Sequence, residues 1–200
     1  MPLPQNSALG RRRRLAATRI RRTAAEAMRP VLRVMSRSEP DRDISAAALG
    51  LTMLWLSDDV ITTVNRKLDR LGISENKLDI LMIFAAQSAE DEESHGMRQT
   101  PSGISDYFGI SKASATGVID WLEKRGLITR TRQVQDRRST PIEITPTGER
   151  FVADAVPVFE EACRDLVRTL SDRDRADLQR ILGKLWVHLK DSDSRESDGD

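Results

Sequence analysis

Two neighbouring stretches carry residue types suited to meeting a polyanion. In "TRTRQVQDRRSTPIEIT", residues 129–145, two β-like runs flank a charged tip, Asp136-Arg137-Arg138. Just before it lies "SKASATGVIDWLEKRG", residues 111–126. Between 111 and 140, Lys112, Lys124, Arg125, Arg130, Arg132, Arg137 and Arg138 stand against Asp120, Glu123 and Asp136, a local net charge of +4. The whole chain carries only +1. A narrow DNA minor groove focuses negative potential and attracts an inserted Arg. An Asp beside such an Arg holds its guanidinium fork in one orientation. Arg138 or Arg137 is therefore the expected groove probe, with Asp136 as its positioner. The plain alternative is a solvated hairpin tip.

The stretch before the tip supplies a second kind of chemistry. Ala115, Val118, Ile119 and Leu122 recur three and four apart and predict the buried face of a helix over 112–125. Lys112, Ala113, Thr116, Gly117 and Asp120 point elsewhere, with Ser114 near the boundary. Small residues let a helix sink into a major groove, where base edges offer donors, acceptors and the thymine methyl. Ser114 and Thr116 can bond either kind of edge, and Ala113 can pack on a methyl. Lys112 can reach a guanine edge or a phosphate, and the helix N-terminus itself favours a phosphate. The bland alternative is an ordinary surface helix. Arg130 and Arg132, on the strand leaving this helix, complete the expected set of DNA-binding residues.

The surrounding elements follow from local signals. Thr100-Pro101 is a helix start, a Thr cap with Pro in the first turn. "SGISDYFG" is a short helix ended by Gly109, and Ser111 caps the next, which closes at Gly126. Two short helices joined by a tight Gly-containing turn read as helix-turn-helix. "LITRTRQV" and "STPIEIT" read as strands, the second at an edge because Pro141 cannot donate to a ladder. "MRQ" reads as a short strand. Upstream, apolar residues from Ile44 to Leu71 recur at helical spacing up to Gly72. Ser74 caps "ENKLDILMIFAAQ", apolar nearly all round and so a central core helix. Downstream, Thr147 and Gly148 open a helix striped from Phe151 to Leu170 and kinked at Pro157. Ser171 caps a last helix, with Asp174 as its capping-box partner. Its stripe runs through Leu178, Ile181, Leu182, Leu185 and Leu189.

This order predicts a mainly α chain with a small β-wing. It is a winged helix-turn-helix flanked by N- and C-terminal dimerisation helices. Residues 1–40 read as a basic arm, disordered or partly helical, in which "LAATRIRRTAAEAM" has the makings of a short helix; ten Arg there face only Glu26 and Glu39. Residues 41–74 are the N-terminal dimerisation helix and 75–146 the DNA-binding domain. Residues 147–190 are the C-terminal dimerisation helices and 191–200 an acidic disordered tail. The flanking stripes exceed what so small a central domain can cover, which points to a second copy of the chain. Two readings of the basic run 11–22 stay open. It tracks phosphates or a flanking minor groove, or translation truly begins at Met28 or Met35.

Other classes find less support. With 4% aromatics, the 38% of hydrophobic residues suits a helical core. The lone Cys163 excludes an intrachain disulfide and suits a reducing cytoplasm. No unbroken apolar run approaches the roughly 18 residues of a membrane span. The Arg-rich N-terminus lacks the apolar stretch of a secretory signal and only faintly resembles a transit peptide. His95, His188 and Cys163 share no metal-ligand or base–nucleophile spacing, so no enzyme, cofactor or metal is expected. Cys163 falls on an apolar stripe and reads as a core thiol.

The segment 100–149 resembles the core of the MarR family of bacterial transcriptional regulators. The matching residues are Thr100-Pro101-Ser102, Ile110-Ser111, Leu122-Glu123, Arg125-Gly126-Leu127-Ile128, Asp136-Arg137-Arg138, and Thr145 with Gly148. The resemblance implies a homodimer with interlocking terminal helices. It implies double-stranded DNA as partner, with the second helix in the major groove and the wing Arg in the minor groove. It also implies regulation, usually repression, relieved by a small aromatic or lipophilic effector held near residues 78–84 and Trp55, unless Trp55 belongs to the dimer core. Two departures stand out: many members carry Arg at the positions of Gly117 and Trp121. Trp121 reads as packing against a neighbouring helix. The acidic loop 88–96 is long for the family and reads as solvated. The rival reading is a winged helix used only for protein interaction, which salt dependence of binding would separate from a DNA regulator.

Overall fold

The computed structural model describes residues 23–38, 43–88, 100–130 and 142–197. The basic run 11–22, the loop with His95, the "MRQ" segment and the wing tip with Arg132, Asp136, Arg137, Arg138 and Pro141 lie outside them. The chain divides into two units, Met1–Asp59 and Val60–Asp200.

In the first unit, α1 spans Ala24–Ser38. Of the two readings of this arm, disordered or partly helical, residues 24–38 take the helical one. Thr23 and Glu26 form a capping box: Thr23 N donates to Glu26 Oε2 at 2.8 Å and Glu26 N donates to Thr23 Oγ1 at 3.3 Å. Met28 is buried, and its sulfur accepts from Thr52 Oγ1. A cap and one buried anchor thus order a segment whose charge alone suggested disorder. Helix α2, Ser45–Leu68, begins in this unit and continues into the second. Taken over the helix rather than as an unbroken run, α2 is long and apolar enough to cross a membrane, with Asp58 and Asp59 standing inside it.

The second unit holds the winged helix. A 3-10 turn, Asp69–Leu71, ends α2 at Gly72, whose φ of 64° is the left-handed region that favours glycine. Helix α3, Glu75–Ser88, starts on Asn65 of α2, whose Oδ1 accepts from Glu75 N and whose Nδ2 donates to Glu75 Oε2, both at 2.8 Å. Then come α4 (Pro101–Phe108), α5 (Lys112–Lys124), β1 (Ile128–Arg130) and β2 (Ile142–Ile144). The strands pair antiparallel, with Ile128 opposite Ile144 and Arg130 opposite Ile142. Helix α6, Pro146–Leu166, runs through Pro157 as one element, capped by Thr145 and not by Thr147. Helix α7 runs Asp172–Ser197, so the acidic tail is helical to Ser197. Once a helix is nucleated, each added residue gains a hydrogen bond for little extra order.

Helix α3 is central, as its all-round apolarity predicts. Ile80, Leu81 and Phe84 join Ile104 of α4, Ile119 of α5 and Ile142 of β2 in one core cluster. Leu78 joins Leu68, Ala155 and Ala162 in the other. Four of the residues in 78–84, expected beside an effector cavity, therefore fill the core. Cys163 also departs from expectation, for it is exposed. Ala155, Val158 and Ala162 form the buried stripe of α6, and Cys163 lies one helical step of about 100° past it.

Candidate nucleic-acid interface

Local caps set the angle between α4 and α5. Thr100 Oγ1 accepts from Gly103 N at 3.1 Å, starting α4. Gly109 ends it with a φ of 61°, and Ser105 Oγ donates to Ile110 O across the turn at 2.6 Å. Ser111 Oγ then accepts from Ser114 N at 3.1 Å and opens α5. Ala115, Ile119 and Leu122 are fully buried, which fastens one side of α5 to the core. Burying each Ile or Leu stabilises by about 1.5–3 kcal/mol.

The opposite side is open. Lys112, Ala113, Ser114, Thr116 and Gly117 are all exposed and share one face. Thr116 Oγ1 donates back to Lys112 O at 2.9 Å. A Cβ built at Gly117 would meet nothing within 4 Å. The face is flat and small at its first two turns.

Arg130 behaves differently from expectation. Its guanidinium pairs with Asp120 of α5 and approaches Glu123 Oε2 at 3.4 Å. It is spent within the chain, where it ties β1 of the wing to α5. The base of the wing is tied just as closely. Thr145 Oγ1 donates to Gly126 O at 2.6 Å and accepts from Gly148 N at 3.0 Å. A Cβ on Gly148 would lie 2.1 Å from Leu127 O, so only glycine permits this approach. The Thr-x-x-Gly pattern is a clamp between the wing and α6.

A surface of this build has relatives. Residues 92–140 match the MarR family model. The chain is 32% identical over 146 residues to the transcriptional repressor MprA of Escherichia coli K12, which covers 73% of this chain and 77% of that protein. The chain belongs to the MarR family. It is a transcriptional regulator with the winged-helix fold of that family. The fold is shared with MepR of S. aureus, solved in complex with DNA, at a TM-score of 0.56 and 21% identity over 73% of this chain and 97% of that one. It is shared too with CouR from Rhodococcus jostii RHA1, solved with p-coumaroyl-CoA, at 0.54 and 22% over 68% and 90%.

In this MarR-family chain Trp121 packs inward, as expected. It joins the partly buried residues lining both clusters. Arg125, counted above in the basic patch, is exposed and lies against the Trp121 ring. Its guanidinium lies 4.8 Å from the Trp121 ring centre and 5.5 Å from that of Phe151, and Nη1 donates to Gly72 O at 2.7 Å. Lys77 approaches the same indole at 5.2 Å. Two of the seven basic residues counted between 111 and 140 thus have partners within the chain. The sequence reading missed Asp120 and Glu123 as wing anchors. Their signal was an acid pair three apart on α5 followed by an Arg on the next strand. On α6, desolvation beside the helix and the nearby Asp79 carboxylate push the pKa of the exposed Cys163 thiol up, away from the reactive thiolate.

Proposed function

We propose that this regulator works as a homodimer that binds double-stranded DNA at a pseudo-palindromic operator, usually to repress. Lys112, Ala113, Ser114, Thr116 and Gly117 of α5 read the major groove. Arg137 and Arg138, positioned by Asp136 and accompanied by Arg132, enter the adjacent minor groove. Two-fold symmetry spaces the half-sites about 10 base pairs apart. The observation that carries this reading is the exposed, small and polar face of α5, held beside a wing that Arg130 pins to the same helix. The homodimer is supported by apolar surface that one chain leaves open: Leu49, Leu54 and Leu56 in the first unit, and Ile181, Leu182 and Trp186 on α7. Contiguous exposed apolar patches mark interaction surfaces. Residues 41–74 and 147–190 are therefore assigned to dimerisation. A small aromatic or lipophilic effector releases the DNA, and the regulator acts in the cytoplasm without a catalytic step.

Fluorescence anisotropy tests this reading, with DNA from upstream of the regulator's own gene and DNA selected from random duplexes. Wild type prefers a specific duplex at every salt concentration. Arg138→Ala loses about 1–3 kcal/mol of that binding. A protein that shows no preference for any selected duplex would overturn the reading.

A further inference from the structure

The reading face leaves unused a second set of cations in the first unit. Helix α1 carries Arg29, Arg33 and Arg37 at four-residue spacing, and all three are exposed. None pairs with an acid among the described residues, whereas Arg130, Arg164, Arg168, Arg175 and Arg180 all do. The acid on the same helix, Glu26, is folded back onto Thr23. The three Arg lie on the side of α1 away from Met28, the residue that anchors the helix to Thr52 of α2.

The spacing suits a particular partner. Four residues of α-helix rise about 6 Å. Phosphates of one DNA strand advance about 3.4 Å each along the duplex axis and also turn around it, so successive Arg of such a row can each meet a separate phosphate. A guanidinium fork bonds phosphate oxygens two at a time, which suits Arg better than Lys. The sequence before α1 has the same sign, with Arg11–Arg14, Arg19, Arg21 and Arg22. An anionic membrane fits less well. Interfacial helices bury Trp, Phe or Leu on the face opposite their cations. The exposed large apolar residues of α1 are Val31, Val34 and Met35, and Met28 is already buried within the protein.

We propose that Arg29, Arg33 and Arg37 form a second, sequence-independent DNA contact, gripping backbone phosphates of double-stranded DNA. The proposal rests on the DNA-binding reading above. The test compares full-length wild type, the triple variant Arg29→Gln, Arg33→Gln, Arg37→Gln, and the corresponding triple Lys variant. Each is titrated with a long duplex carrying the selected operator and with a random duplex of equal length, across a salt series. Circular dichroism and thermal melts check that the exposed substitutions leave the fold intact. Each neutralised phosphate contributes about 0.9 to the slope of log affinity against log salt. The Gln variant is expected to lose roughly 2–3 from that slope. It weakens equally on operator and random DNA, leaving their ratio unchanged, while the Lys variant keeps most of the slope. A Gln variant with the wild-type slope overturns the contact while the DNA reading stands. So does one that loses discrimination rather than slope. Wild type that binds no duplex removes both. Loss of binding to phosphatidylserine vesicles by the Gln variant, with its DNA slope intact, assigns the row to lipid instead.

Discussion

Helices α5 and α7 look alike in sequence and end differently in the fold. Both start at a serine cap, and both carry an apolar stripe at helical spacing. The apolar side of α5 is sealed within one chain, with Ala115, Ile119 and Leu122 all fully buried. The stripe of α7 stays open, with Leu182 at 49% exposure and Trp186 at 68%. The core of the winged helix is therefore covered within a single subunit, whereas the stripe of the C-terminal helix is left uncovered among the described residues. Amphipathicity says that a helix has a partner; only packing says whether the partner lies in the same chain.

The largest effect that tests this contrast is in the sealed helix. Leu122→Ala removes fully buried methyl groups and is expected to cost about 2–5 kcal/mol. Denaturant unfolding should show that loss at every protein concentration, because the contacts are internal. The next effect belongs to α7. Leu182→Ser with Trp186→Ser is expected to weaken self-association by at least about tenfold, roughly 1.4 kcal/mol. Analytical ultracentrifugation reads it as a shift from dimer to monomer, with the far-ultraviolet spectrum retained. An unchanged dimer would show that α7 does not carry the interface.

The smallest effect probes a flaw inside the sealed unit. Asp79, on α3, is half-buried, and burial followed by the charge of Glu75 raises its pKa. A carboxyl raised in the folded state opposes folding only where it must ionise. Its cost is absent below its unfolded pKa and complete above the folded one. Asp79→Asn is therefore expected to raise Tm slightly at pH 7 and to leave it unchanged near the ordinary value of 3.8. An equal gain at both pH values would point to packing rather than charge. Asp174 runs the other way. Its side-chain and backbone hydrogen bonds with Ser171 lower its pKa, so its contribution is present above 3.8 and lost as the pH falls below it.

Local chemistry was legible in the residues. Thr100, Gly109 and Ser111 each announce a cap or turn whose partners lie within a few residues. The helix-turn-helix, the wing strands and the open face of α5 followed from them. Long-range pairing was not legible. Arg125 bonds a carbonyl at Gly72, and Arg130 reaches back to Asp120; a count of positive charges treats both as free. Cys163 misled because a stripe drawn by eye is wider than one helical step. Helix α1 held a readable signal in Thr23 and Glu26, which the density of arginines outweighed.

The central claim is that the open face of α5 meets base edges. Gly117 tests it most directly, because a Cβ there meets nothing within 4 Å among the described residues. Gly117→Glu should fold at least as stably as wild type, since Gly costs a helix about 0.8–1.0 kcal/mol relative to Ala. It places a carboxylate where DNA would lie. Anisotropy with the selected operator should show affinity falling by well over tenfold, more than about 1.4 kcal/mol, with Tm maintained. Wild-type operator affinity in that variant would contradict the account, because α5 would then not be the helix in the groove.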